Sequence, residues 1–198
     1  MRNPRNVAIL IFDDVEVLDF SGPYEVFNVA SESTDPPPFY VYTVGISDQP
    51  VLARGRFVVS PRYSLSDCPQ ANILIIPGGY GTRPLINHEG LLHWIQDQAS
   101  RVELLLSVCT GALLLAKAGL LKDCAATTHH SAFDHLAKLS PSTAIVRDKR
   151  FVQSSEVIFT SGGISAGIDL ALFVVKKLAG SEVHASVVEE MEYNWSSK

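Results

Sequence analysis

A cysteine set between a short apolar run and a helical pattern is where this sequence offers covalent chemistry. Val102–Val108 is the apolar run; Cys109, Thr110 and Gly111 follow; Ala112–Leu121 has helical spacing stopped by Gly119. Ser107-x-Cys109-x-Gly111 matches the spacing of the G-x-S-x-G strand–turn–helix elbow, with sulfur in place of oxygen. Glycine is needed there because the helix backbone packs close to the strand it leaves. A thiol at such a turn is expected to point outward. It also sits at the amino end of a helix, where free N–H groups and the dipole favour the thiolate. A thiolate attacks electrophilic carbon, and the attack needs a proton donor and groups that steady developing charge.

Other stretches offer those partners. Leu18-Asp19-Phe20-Ser21-Gly22-Pro23 places a carboxylate between a strand end and a helix start, and α/β sheets hold ligands at the carboxyl ends of their strands. Gly78 and Gly79, within Pro77–Gly81, present backbone N–H groups suited to a developing oxyanion. His129 follows a short strand and is a candidate neighbour of Cys109. His88, His93, His135 and His184 have no comparable setting.

These residues need elements to position them. Val7–Phe12, Phe39–Gly45, Ile73–Ile76 and Val157–Thr160 read as strands, and the unbroken apolar runs among them indicate a sheet covered on both faces. A first helix is expected to be capped by Ser21, with Pro23 in its first turn, and to run to about Ala30. Val51–Pro61 reads as a hairpin turning at Arg54-Gly55-Arg56, either a sheet edge or an excursion. Ser64–Asn72 reads as a connector containing a structural Cys68, and Leu91–Ala99 as a helix. Ala125–Thr128 is expected as a short strand, with Ser131 capping a helix to about Ser140. Ile145–Arg147 and Phe151–Gln153 read as paired strands joined by a charged turn. Ala166–Leu178 is a nearly all-apolar helix, central or in a dimer interface, and Ser181–Asn194 an amphipathic acidic one. Alternating strands and helices, with no repeat or boundary, predict a single α/β domain over 1–198 with a mostly parallel sheet.

Composition narrows the function classes. The 198 residues carry a net charge of −5, which argues against a nucleic-acid partner. Three cysteines without paired spacing argue against a disulfide framework or a zinc site and fit a reducing, cytoplasmic setting. No signal-like or membrane-spanning run is expected, and the Gly-Gly pairs lack nucleotide-binding spacing, so no cofactor or metal is expected.

Five stretches together resemble the DJ-1/PfpI superfamily: LDFSGP (18–23), IIPGG (75–79), SVCTG (107–111), ATTHH (126–130) and SGGISAGID (161–169). The resemblance covers nearly the whole chain. It implies a flavodoxin-like three-layer α/β sandwich with the reactive cysteine on the elbow, commonly as a homodimer. Within the superfamily the aspartate of LDFSGP and Cys-Thr-Gly at the elbow are similar to isocyanide (isonitrile) hydratases. By that resemblance Cys109 is the nucleophile, Asp19 the acid/base partner and Thr110 a supporting hydroxyl. Gly78, Gly79, His129, Gly163 and Ile164 are then candidate oxyanion or substrate-binding positions for a small molecule. An acid beside a thiolate has a raised pKa, which suits proton delivery near neutral pH.

The same motifs resemble the ligand-sensing domain of AraC-type regulators. Those carry a helix-turn-helix domain afterwards, which is not expected in a chain ending at Lys198. A small-molecule or redox sensor is therefore one alternative; a thiol-dependent glyoxalase or deglycase is another. PfpI-type peptidases place a histidine after the cysteine, where this chain has Thr110. The DJ-1 branch pairs its cysteine with a glutamate, where this chain has Asp19.

Overall fold

The computed structural model describes residues 3–195. In chain order the elements are β1 (Arg5–Ile11), α1 (Val17–Glu32), β2 (Phe39–Gly45), β3 (Val51–Ala53), β4 (Phe57–Val59), β5 (Tyr63–Ser64) and β6 (Ile73–Ile76). Next come α2 (Thr82–Leu85), α3 (Glu89–Ala99), β7 (Leu104–Ser107), α4 (Gly111–Lys117), β8 (Ala125–Ala126) and α5 (Phe133–Leu139). The chain ends with β9 (Ala144–Ile145), β10 (Phe151–Gln153), β11 (Ile158–Ser161), α6 (Ala166–Ala179) and α7 (Ser181–Glu190).

Seven strands form the central sheet in the order β10-β11-β7-β6-β1-β2-β5. All neighbours pair in parallel except β10, which runs antiparallel to β11. The apolar runs of β1, β6 and β7 explain this. Val7–Ile11, Ile73–Ile76 and Leu104–Ser107 are buried throughout, so both faces must be covered. Helices α1, α6 and α7 pack against one another, and α2, α3, α4 and α5 form a second group around α4. The result is a three-layer α/β sandwich. Its loops at the carboxyl ends of β1, β6, β7 and β11 carry Asp14–Glu16, Pro77–Gly81, Val108–Thr110 and Gly162–Ser165.

Several local expectations are corrected. The first helix begins at Val17, and the Ser21 hydroxyl donates to the Val17 carbonyl at 2.8 Å instead of capping. Asp19 therefore stands in the first turn of α1, not in a loop before it. Ser131 is not a helix cap: a 3-10 turn over His130–Ala132 precedes α5, and the His129 ring accepts the Ser131 N–H. The strands around the charged turn do not pair with each other. β9 lies parallel to β8 in a separate two-stranded sheet, while β10 adds to the main sheet edge at β11. Each is only two or three residues long and takes the edge that tertiary packing brings nearest. The hairpin β3–β4 is an excursion outside the main sheet. Ser64, read as the start of a connector, instead forms β5 with Tyr63 and joins the sheet beside β2. The last helix stops at Glu190.

Candidate active site

β7 delivers the chain to the elbow, where Cys109 adopts φ 55°. That left-handed conformation is uncommon for a residue with a side chain and persists only where its surroundings enforce it. Here they do. The Cys109 N–H donates to the carbonyls of Ser161 (3.2 Å) and Gly162 (3.1 Å). Its own carbonyl accepts the Thr128 hydroxyl at 2.8 Å. α4 then starts at Gly111, where a Cβ would stand 2.0 Å from the Ile76 carbonyl oxygen, so the close strand–helix approach expected from sequence is present.

The sulfur is not turned out into solvent. Cys109 is 6% exposed and lies at the head of a cavity of about 70 Å³ shared with Glu16, Arg54, Tyr80, Arg83 and Ile164. Burial pushes its thiol well above the usual range, and the charge of Asp19 pushes the same way. The Thr110 backbone N–H favours the thiolate but is outweighed. The helix end that favours a thiolate is thus opposed here by desolvation and by the charge of Asp19.

Asp19 is fully buried. Burial pushes its carboxyl up to about 7, against the lowering effects of Cys109 and of the Gly78 N–H; the charge of Glu16 adds to the rise. Oδ2 accepts the Gly78 N–H at 3.0 Å, whereas Oδ1 is buried without a hydrogen-bond partner. One oxygen is therefore anchored and the other is left to carry a proton beside the thiol. A Cβ on Gly78 would stand 2.5 Å from the Thr110 nitrogen and 2.8 Å from Asp19 Oδ2, so only glycine lets the β6 loop meet both.

Thr110 lies 2% exposed, under the same loop. Its hydroxyl accepts the Gly79 N–H at 3.0 Å and is 3.3 Å from Arg83 Nη1, which also reaches the Gly79 carbonyl at 2.7 Å. The N–H groups of Gly78 and Gly79, expected as oxyanion donors, are already taken by Asp19 and Thr110. Their observed work is to fix those two side chains.

His129 approaches from the β8 side. Its Nδ1 accepts the Ser131 N–H at 3.3 Å and contacts the Ser131 hydroxyl at 2.8 Å, which leaves the ring proton on Nε2. Desolvation and the neighbouring His130 and Arg83 hold it below the usual histidine range. Gly163 lies between ring and sulfur: a Cβ there would be 2.4 Å from His129 Cδ2 and 3.0 Å from Cys109 Sγ. Cys109, Asp19, Thr110, Gly78, Gly79, His129, Gly163 and Ile164 thus converge from five separate stretches. Arg83, Glu16 and Arg54 were not singled out from sequence. A lone charged residue in a loop or short helix gives no signal that it faces inward. Arg54 reaches in from the hairpin turn and pairs with Glu16 at 2.5 Å. Among the described residues no cluster of His, Cys, Asp or Glu could hold a metal ion.

Comparison with known proteins decides the family, for residues 5–177 match the DJ-1/PfpI family. The chain belongs to the DJ-1/PfpI family. Isonitrile hydratase of Pseudomonas putida is 36% identical over 94% of this chain and 78% of its own length. The HTH-type transcriptional regulator GbdR of Pseudomonas aeruginosa is 24% identical over 97% of this chain, which spans 52% of that regulator. The crystal structure of a THiJ/PfpI family protein from Pseudomonas syringae superposes with a TM-score of 0.87 at 28% identity, covering 98% of this chain and 77% of that one. The three-layer sandwich is therefore the DJ-1/PfpI fold. No helix among the described residues is long and apolar enough to cross a membrane.

Proposed function

We propose that this DJ-1/PfpI protein is a cysteine-dependent hydratase that converts an isocyanide, R–N≡C, to the N-substituted formamide. One observation carries the reading: a fully buried carboxyl, raised to about 7 and with one oxygen unpartnered, beside the buried thiol of Cys109. The similarity to isonitrile hydratase supports it.

The isocyanide carbon is divalent and accepts a nucleophile and a proton together. As Cys109 Sγ bonds to that carbon, Asp19 Oδ1 takes the thiol proton and returns it to the same carbon. The product is the thioimidate R–N=CH–S–Cys109. Water then adds to this carbon, a proton goes to nitrogen, the C–S bond breaks, and the sulfur recovers a proton. The sum is R–NC + H₂O → R–NH–CHO. Asp19, fully buried, passes the proton where transfer needs a matched pKa. Thr110 and Gly78 hold the pair in place.

The sensor reading is tested by intact-mass spectra after peroxide: stoichiometric oxidation at Cys109 without isocyanide turnover favours it over the enzyme. The exposed Leu52, Phe57 and Val58 of the hairpin support the homodimer that the family resemblance implies, and light scattering in solution tests it. The central experiment is formamide production from p-nitrophenyl isocyanide. Cys109→Ala is expected to abolish turnover and Asp19→Asn to lower kcat by about 100-fold or more. Full activity in Cys109→Ala overturns the mechanism.

A further inference from the structure

A second cavity, of about 460 Å³, adjoins the Cys109 site. It shares His129 and Ile164 with the smaller cavity, and Gly163 forms part of its wall. Gly163 is also the residue packed on the sulfur. A molecule that spans the two cavities, its reactive carbon at Cys109, passes His129, Gly163 and Ile164 and ends here.

The charge of this outer cavity is one-sided. Arg147, Lys149 and Arg150 line it, and none of its lining residues is acidic, although the chain as a whole carries −5. The three cations are not equally committed. Arg150 is bound to Asp169 and donates to the Ser165 hydroxyl at 3.1 Å. Arg147 lies over the Phe133 ring at 4.7 Å, with only a 3.6 Å contact to a largely exposed Asp134. Lys149 is exposed and has no ion-pair partner among the described residues. Leu18, Phe133 and Ile164 supply apolar wall between the cations and the sulfur.

We infer that the outer cavity binds an anionic N-substituent through Lys149 and Arg147, so that the isocyanides this protein prefers carry a carboxylate. The inference rests on the hydratase reading above. A single carboxylate matches two partly solvated cations, and the apolar wall suits the short methylene spacer between the anion and the isocyanide.

The test compares kcat/KM for isocyanoacetate and its one- and two-methylene homologues with that for their methyl esters. The best carboxylate is expected to exceed its ester by about tenfold, at about three- to fivefold per exposed cation. That ratio falls toward one in the Lys149→Ala/Arg147→Ala double variant and below one in Lys149→Glu. It shrinks at about 0.3 M salt. Lys122→Glu, at a residue that lines neither cavity, keeps the wild-type ratio while matching the change of two charges. Esters turned over as fast as the acids, or a preference that survives the double variant, overturns the inference and leaves the hydratase reading standing. No turnover of any isocyanide removes both.

Discussion

In the proposed mechanism Asp19 and Cys109 act as a pair that holds one proton in its productive form, either on sulfur or on the carboxyl. With the carboxyl raised to about 7, acid conditions add a second proton and idle the pair. The rate is expected to fall as pH drops through about 7, and a kcat/KM profile that stays flat from about pH 5 to 9 refutes the assignment. The same burial has a cost in stability. The native carboxyl binds its proton more tightly than the unfolded one, whose ordinary value is 3.8. Its contribution is thus present below about 4 and is lost as pH rises to about 7. Asp19→Asn, which can still accept the Gly78 N–H, is expected to be more stable than wild type at about pH 8 by on the order of 2–4 kcal/mol. The difference closes toward pH 4. Urea unfolding at both pH values checks the sign.

At the scale of elements, the loop between β11 and α6 matters most. Its carbonyls at Ser161 and Gly162 hold the Cys109 N–H, and Gly163 forms a wall of the sulfur's niche. Gly163→Ala forces either the His129 ring or the loop backbone to move. The expected result is a loss of about 100-fold in kcat/KM, because a displacement near 1 Å is costly at the reacting atoms. Circular dichroism is expected to show the fold retained, and an unchanged rate would mean that the loop yields freely. The elbow itself was legible in Ser107-x-Cys109-x-Gly111, because a strand-length apolar run followed by a helical pattern leaves room only for a sharp turn. Ser21 misled because a serine before a proline looks like a cap, whereas the helix had already started at Val17.

Across the whole molecule, Arg150 ties distant segments together. It stands just before β10, donates to the Ser165 hydroxyl in the loop between β11 and α6 and pairs with the buried Asp169 of α6. Asp169 also accepts the Tyr193 hydroxyl at 3.1 Å, which draws in the chain after α7. Arg150→Met leaves Asp169 buried without its cation. A loss of about 3 kcal/mol is expected, with partial rescue by Arg150→Lys; thermal melts of the three proteins measure it. The mostly parallel sheet was readable from the chain, since the apolar runs at Val7–Ile11, Ile73–Ile76 and Leu104–Ser107 became buried strands of it. The nearly all-apolar helix at Ala166–Ala179 proved to be central, packed between α1 and α7. The pairing of the two- and three-residue strands was not readable, because such short strands have no register of their own.

Sequence alone determined the parallel sheet, the elbow and the five stretches that meet at its end. The sheet and the elbow follow from local backbone preference and from apolar runs that must be covered on both faces; the five stretches were picked out by their resemblance to the DJ-1/PfpI superfamily. Tertiary structure decided the surroundings of the two reacting groups. Burial and the charge of Asp19 push the Cys109 thiol up, and the Gly78 and Gly79 N–H groups face side chains that arrive from α1 and the elbow. Desolvation and charge are sums over neighbours in space, and those neighbours are not written next to the residue they act on.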